Sequence, residues 1–319
     1  MGRSVLWASA AGLTAAILQL LVLVSPTGGL LLAYFSPLPI LMVGLSLGSV
    51  TALIAALVAA AATTLLTGTG FSAFMALGFG VPAAGLVALS LRRRAVSGGA
   101  AVSWFPADRL LMVTSLATLI VLALALAQGL GHSAGVRGMV SDFVFSVASQ
   151  LEARGTDLQA NTLTRLVALF PGLAAVFWLA MHLINAALAQ GIVKRLGRNL
   201  RPSPTLSDTR LPRALALLLG ASAVAGLLAG GALQYFAQNA VLVLAVPYFI
   251  MGLYVASLGL GRLPRLALIP AIVVAAVFML AIEYGFGQTL FWICVVFALL
   301  GLVDQWTRLR DWLAPSASE

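Results

Sequence analysis

Long apolar runs separated by short polar breaks dominate the chain. A helix needs about 20 apolar residues to cross the hydrocarbon core of a bilayer. Ten runs fit this length, at residues 4–24, 29–46, 49–67, 71–91, 109–130, 163–190, 212–231, 239–260, 267–283 and 287–306. Only a tight turn at Ser46–Ser49 separates the second run from the third, so the range is eight to ten spans. The pattern predicts an all-α, polytopic transmembrane helix bundle.

The composition agrees with this class and excludes a soluble domain. Of the 319 residues, 61% are hydrophobic and only 8% are charged, whereas soluble domains carry about 25% charged residues. Most of the outer surface must therefore face lipid. The first run is longer than the apolar core of a typical signal peptide and further spans follow it, which favours a retained first helix.

Basic residues indicate how the chain is oriented. With the N-terminus inside, only Arg137, Arg154 and Arg165 fall outside, and every other Lys and Arg is cytoplasmic. This is the positive-inside pattern of membrane proteins, and it accounts for the net charge of +9 without a nucleic-acid partner. Merging the second and third spans would place Arg3 opposite the cluster Arg92–Arg94. We therefore predict ten spans in a bacterial cytoplasmic (inner) membrane, with both termini cytoplasmic.

Two long connections divide the predicted bundle. Residues 132–162 form an outer segment with an amphipathic helical pattern, carried by Val136, Val140, Phe143, Val144, Val147 and Leu151. This helix either lies on the interface and caps the bundle or gates a cavity. The basic inner loop 194–213 either contacts anionic headgroups or docks a partner, with Arg198 and Arg201 as candidate contacts. We predict a four-span part at 1–95, a six-span part at 96–313 and a tail at 314–319, within one integrated membrane domain.

Small residues recur at four-residue spacing on several spans. The first span carries Ala8, Gly12 and Ala16 in this register. The third carries Ala52, Ala56 and Ala60, and the seventh carries Gly226 and Gly230. Helices in lipid associate closely through such faces. Most of these faces are predicted to pack inside the bundle, and one is a candidate contact for another subunit.

The N-terminal region resembles the substrate-binding S components of energy-coupling-factor vitamin transporters. The resemblance is carried by Pro37-Leu-Pro-Ile-Leu-Met-Val-Gly-Leu-Ser-Leu-Gly48 and the small-residue helix after it, and it covers roughly residues 1–95. The face Ala8, Gly12 and Ala16 is similar to the one by which S components dock on their membrane partner. Many S components have proline where this chain has Ser49. The resemblance implies a small-molecule ligand and a separate energising ATPase, but no vitamin-specific residue set is recognisable.

Further motifs are similar to those of the YybS-like family of predicted bacterial membrane proteins, which has no established function and is grouped with the S components. They are Asn185-Ala-Ala-Leu-Ala-Gln190, Gly197-Arg-Asn-Leu-Arg-Pro-Ser-Pro204, Val246-Pro-Tyr-Phe249 and Gly301-Leu-Val-Asp-Gln-Trp306. The family implies a fold, but it supplies no ligand residues.

Polar side chains at membrane depth are candidates for function because their burial costs free energy unless they are paired. Trp178, His182 and Asn185 share one face of the sixth span, which predicts either a ligand-facing stripe or interhelical hydrogen bonds. Tyr248 is a candidate binding residue because it follows Pro247, which is predicted to break or bend the eighth span; transporters use such breaks at binding sites, although kinks also occur without that role. Glu283 ends the ninth span and is a candidate for substrate binding or proton coupling, although solvation at the interface would also explain it. Asp304 is predicted to pair with Arg308, one turn later.

Motifs for catalysis and metal binding were not found in the sequence. There is no phosphate-binding loop, nucleophile elbow or metal-ligand spacing, and the single Cys294 lies in an apolar run. We therefore predict no enzyme activity, metal or cofactor. The leading hypothesis is a small-molecule-binding transporter component that works with an energising ATPase. The alternative is a non-transporting scaffold that recruits partners through its small-residue faces and basic inner loop, and an enzyme acting on lipids ranks last.

Overall fold

The computed structural model describes residues 2–95, 102–153, 160–259 and 287–313. Apart from one short hairpin, in which β1 (Arg93–Ala95) pairs antiparallel with β2 (Val102–Trp104), these residues form helices and their connections. The helices are α1 Gly2–Val24, α2 Pro26–Ala33, α3 Pro37–Leu47, α4 Ser49–Thr67, α5 Thr69–Met75, α6 Val81–Ser90, α7 Ala107–Ala127, α8 Gly135–Glu152, α9 Ala160–Arg195, α10 Arg213–Leu228, α11 Gly231–Gly259, α12 Gly287–Thr307 and α13 Leu309–Leu313. The all-α, polytopic prediction is confirmed.

Seven helical segments within the described residues are long and apolar enough to cross a membrane. They match the first six predicted spans and the eighth. The seventh and tenth predicted spans correspond to the shorter apolar segments Arg213–Leu228 and Phe291–Thr307. The ninth, at 267–283, lies outside the described residues.

The chain divides into two compact units. The first combines Met1–Leu110 with Ala180–Thr209, and the second combines Leu111–Leu179 with Arg210–Glu319. The predicted N-terminal part, 1–95, therefore lies within the first unit, which also takes a later segment of chain. Both units contain part of the long helix α9.

The first unit is packed through small side chains. Its core contains ten buried alanines of α1, α4, α6 and α9, together with Ile40, Leu41, Val43, Leu45, Leu86 and Val87. The predicted face Ala8, Gly12 and Ala16 is buried, and a Cβ on Gly12 would lie 2.8 Å from the Cβ of Val58 in α4. Close backbone approach of this kind is how helices associate in lipid. As folded, this face packs inside the chain and is not available to a partner subunit.

The second predicted span is interrupted within the first unit. Helix α2 ends at Ala33, three turn residues follow, and α3 begins at Pro37. Pro37 lacks an N–H, and its ring clashes with the carbonyl four residues earlier, so a continuous helix is disfavoured. Helix α3 ends at Leu47 and is followed by Gly48, whose φ of 113° favours glycine. The turn between the second and third predicted spans is therefore this single glycine.

In the second unit, Pro171 interrupts the backbone hydrogen bonding of α9, and side chains of α11 supply the missing hydrogen bonds. Pro171 has no N–H for the Val167 carbonyl, which instead accepts a hydrogen bond from the Tyr235 hydroxyl. One residue further along α9, the side-chain amide of Asn239 bonds to the backbone groups of Gly172 and Ala168. Its Oδ1 accepts from Gly172 N at 2.7 Å, and its Nδ2 donates to Ala168 O at 3.2 Å. The kink thus leaves none of these backbone groups without a partner.

Tyr235→Phe tests this repair. The variant leaves the Val167 carbonyl buried without a donor, which should cost about 1–3 kcal/mol of stability. Pro171→Ala restores a backbone N–H at that position, so Tyr235→Phe should cost much less in the Pro171→Ala background. Chemical denaturation of the four chains in one detergent measures the cycle. Equal costs in both backgrounds would show that the hydroxyl does not replace the missing N–H.

The structure corrects two predictions about the second unit. Helix α11 continues through Pro247 to Gly259, so Pro247 does not break it, and the predicted bend stays a prediction. Asp304 pairs with Arg310 and not with Arg308. Arg308 adopts a left-handed conformation with a φ of 55°, which ends α12 and turns α13 back towards it. Arg310 donates from its backbone N to Asp304 Oδ1 at 2.9 Å and from Nε to Oδ2 at 2.7 Å.

Candidate functional site

Three of the predicted binding residues lie on α9, and two of these are buried in the first unit. His182 is 2% exposed and Asn185 is fully buried, whereas Trp178 is half-buried and belongs to the second unit. Asn185 Nδ2 donates to Tyr34 O and to Met181 O, each at 2.8 Å. The first bond attaches α9 to the interruption between α2 and α3. Asn185 therefore makes the interhelical hydrogen bond predicted as its alternative role, and its ligand-binding role stays a prediction.

Asn185→Ala separates the two roles. Removal of the amide leaves the Tyr34 carbonyl without this donor, which should cost about 1–3 kcal/mol. If Asn185 acts in packing, the variant should unfold at lower temperature and still retain any co-purified small molecule. Thermal unfolding and mass spectrometry of the same preparation provide both readouts. Loss of the molecule from a protein of unchanged stability would instead support the ligand-binding role.

The remaining predicted binding residues are placed elsewhere. Tyr248 is 1% exposed within the second unit, where its backbone carbonyl faces Gly301 at the contact of α11 with α12. Glu283 lies outside the described residues. His182 and Asn185 therefore lie in the first unit, whereas Tyr248 lies in the second, at the packing contact of α11 with α12.

The two candidate contact residues of the inner loop, Arg198 and Arg201, differ in exposure. Arg198 is exposed, but Arg201 is only 6% exposed. Arg201 donates from Nη1 to Ser90 O at 2.9 Å, at the end of α6, and its carbonyl accepts from Gln190 Nε2 at 3.1 Å. Burial lowers the pKa of the Arg201 guanidinium. Arg201 thus attaches the loop to the first unit, and Arg198 remains available on the surface.

A cavity of about 290 Å³ lies in the second unit, where the first turns of α8 and α11 approach each other. Its wall is formed by Ala134, Gly135, Val136, Arg137, Gly231, Ala232, Gln234, Tyr235 and Gln238. Gln234 and Gln238 each donate an amide N–H to Gly226 O, at 3.4 and 3.0 Å. The Tyr235 hydroxyl is occupied by Val167. The wall is therefore held in place by hydrogen bonds.

Arg137 is the charged residue of this wall. Asp142, further along α8, pairs instead with His132, with Nε2 and Oδ2 3.2 Å apart. Within the described ranges, no carboxylate pairs with Arg137. The cavity therefore presents a guanidinium that no carboxylate of the described residues neutralises.

The amphipathic pattern predicts α8 itself and only part of its buried face. Val136, Val140 and Val144 are buried as predicted, but Phe143, Val147 and Leu151 are exposed. One turn of this helix lines the cavity, which is compatible with the predicted gate. A gating motion stays a prediction.

The residues of the cavity wall were not identified from the sequence. The eighth predicted span begins at residue 239, whereas α11 begins at Gly231. The polar residues Gln234, Tyr235 and Gln238 were therefore placed in a connection, and Arg137 was noted only for its side of the membrane. The spacing of Gln234, Tyr235 and Gln238 is a signal that could have identified them. It puts them on neighbouring turns of one helix if that helix starts at the Gly230–Gly231 pair.

The apolar helices and the core of small residues define a multi-pass membrane protein. The chain belongs to the DUF2232 family of predicted membrane proteins, whose model matches residues 13–305. No curated protein and no solved structure matches it. Membership of the YybS-like and S-component groups stays a prediction.

Proposed function

We propose that this protein is the substrate-binding membrane subunit of a transporter and captures a small molecule in the cavity between α8 and α11. The observation that carries the proposal is the cavity itself, which combines apolar side chains with Arg137, Gln234 and Gln238. Binding pockets typically combine apolar walls with a few placed polar groups, and their volumes start at roughly 300 Å³. The volume of about 290 Å³ fits a small ligand.

The direction of capture follows from the predicted topology. Lys and Arg bias places the start of α8 and the start of α11 on the outer side of a bacterial inner membrane, with both termini in the cytoplasm. The ligand would then enter from outside. The resemblance of Pro37–Gly48 to S components supports the same role. Because the sequence has no phosphate-binding loop, a separate ATPase would supply the energy. Neither catalysis nor a bound cofactor is part of the proposal.

The alternative is a scaffold without transport. The exposed Arg198 in the basic inner loop favours it, since this side chain is available to a partner. The face Ala8, Gly12 and Ala16 does not favour it, because that face is covered within the chain.

Ala232→Phe tests the proposal by filling the cavity. The matched control is Ala223→Phe on α10, another exposed alanine of the second unit that does not line the cavity. Each chain is purified in native nanodiscs, and co-purifying small molecules and subunits are identified by mass spectrometry. We expect a molecule that is retained by the wild type and by Ala223→Phe and is lost from Ala232→Phe. Stable protein partners without any retained molecule would support the scaffold instead.

A further inference from the structure

We propose that the cavity between α8 and α11 recognises an oxyanion, a phosphate or a carboxylate, through Arg137. The inference names the class of ligand for the cavity of the proposed function and rests on that cavity being a binding site. It starts from charge, since Arg137 is the charged side chain among the described residues of the wall, and none of these residues is acidic. A cation would therefore be repelled, and an anion would find a complementary charge.

The hydrogen bonds of the cavity wall also favour recognition of an anion by Arg137. Gln234 and Gln238 already donate to Gly226 O, and the Tyr235 hydroxyl donates to Val167 O. The Arg137 guanidinium carries five N–H groups in a planar fork, which fits the paired oxygens of a phosphate or carboxylate. Among the described side chains of the wall, Arg137 alone combines this fork with a positive charge, so it is the group suited to fix the ligand.

The position of Arg137 on α8 also needs explanation. It lies in the first turn of the helix, where the helix dipole disfavours a cation, and that turn contains no acidic residue. The carboxylate of Asp142 is engaged with His132. The Arg137 side chain is exposed, and no carboxylate of the described residues pairs with it, so a bound oxyanion would replace solvent around this charge.

Two sources supply such a group: a soluble anion and the headgroup of an anionic phospholipid. Both share the chemistry that Arg137 recognises. The test must therefore contain one arm for each source, and it must report on Arg137 itself.

Phenylglyoxal modification of the wild-type protein provides this test, because the reagent attacks free guanidinium groups. In phosphatidylcholine nanodiscs, one arm adds about 10 mM inorganic phosphate at constant ionic strength. The other replaces part of the lipid with phosphatidylglycerol and omits phosphate. Peptide mass spectrometry gives the modification rates of Arg137 and of Arg165, an exposed arginine of the same unit that does not line the cavity.

We expect at least one arm to slow the modification of Arg137 by about threefold or more, as occupancy of a site requires, and to leave Arg165 unchanged. Protection by phosphate alone assigns a soluble anion, and protection by phosphatidylglycerol alone assigns a headgroup. Protection by both supports the inference for either source. No protection of Arg137, or equal protection of both arginines, overturns it.

Variants separate this inference from the proposed function. Arg137→Gln should abolish the thermal stabilisation given by the protecting probe, and Arg165→Gln should keep it. A neutral molecule that is lost from Ala232→Phe, together with an unprotected Arg137, would leave the proposed function standing and remove the oxyanion. A protected Arg137 in a protein that retains no small molecule would remove the transport role and leave the oxyanion site.

Discussion

Gly301→Val is expected to cost more than about 3 kcal/mol of stability and to prevent α11 from packing against α12. A Cβ on Gly301 would overlap the Tyr248 carbonyl and lie 2.6 Å from Gly252 N. Both obstacles are backbone atoms, so no side-chain rotation can relieve the clash. Gly252 is constrained in the same way, because a Cβ there would overlap the Phe297 carbonyl. Thermal unfolding of the purified protein, followed by tryptophan fluorescence, measures the loss.

The matched control for this prediction is Gly220→Val on α10. A Cβ at Gly220 meets nothing within 4 Å, so this variant should change stability by less than about 1 kcal/mol. If Gly301→Val unfolds at the same temperature as Gly220→Val, the close contact between α11 and α12 does not exist.

Asp304→Ala is expected to cost about 3–5 kcal/mol. Asp304 and Arg310 are 1% and 3% exposed, and the variant leaves the Arg310 guanidinium buried without its carboxylate. Asp304 also accepts from the Arg310 backbone N, so the turn between α12 and α13 loses two supports. Chemical denaturation with the same fluorescence readout measures the effect.

The exposed pair Arg210–Asp311 is the natural comparison for the buried pair. Its atoms lie 3.2 Å apart, but each side chain is about half exposed. Asp311→Ala should therefore cost less than about 1 kcal/mol. A double variant, Asp304→Leu with Arg310→Leu, should recover much of the loss, since no unpaired charge remains buried. Equal costs for Asp304→Ala and Asp311→Ala would contradict the burial of the first pair.

The membrane helices were predictable because their signal is local. Twenty apolar residues must form a helix in lipid, since every backbone group needs a partner there. The break before Pro37 and the glycine turn at Gly48 follow from the same local rules. The contact face of α1 was also visible, because small residues recur along one side of one helix. Its partner, α4, was not, since many helices of this chain carry similar alanine stripes.

The cavity and the buried ion pair were not predictable, because both depend on where the chain turns. Helix spacing alone predicted Arg308 as the partner of Asp304, but the left-handed residue at the end of α12 directs Arg310 there instead. The polar residues at the start of α11 were assigned to a connection, since hydropathy ends a span where polar residues begin. The structure extends the helix through them and places α8 beside it.

Tyr235 contributes to the cavity wall and also closes the gap that Pro171 leaves in α9. Any movement of that ring would therefore act on the carbonyl of Val167 as well as on the cavity wall. The shape of the wall and the backbone of α9 thus depend on the same phenol.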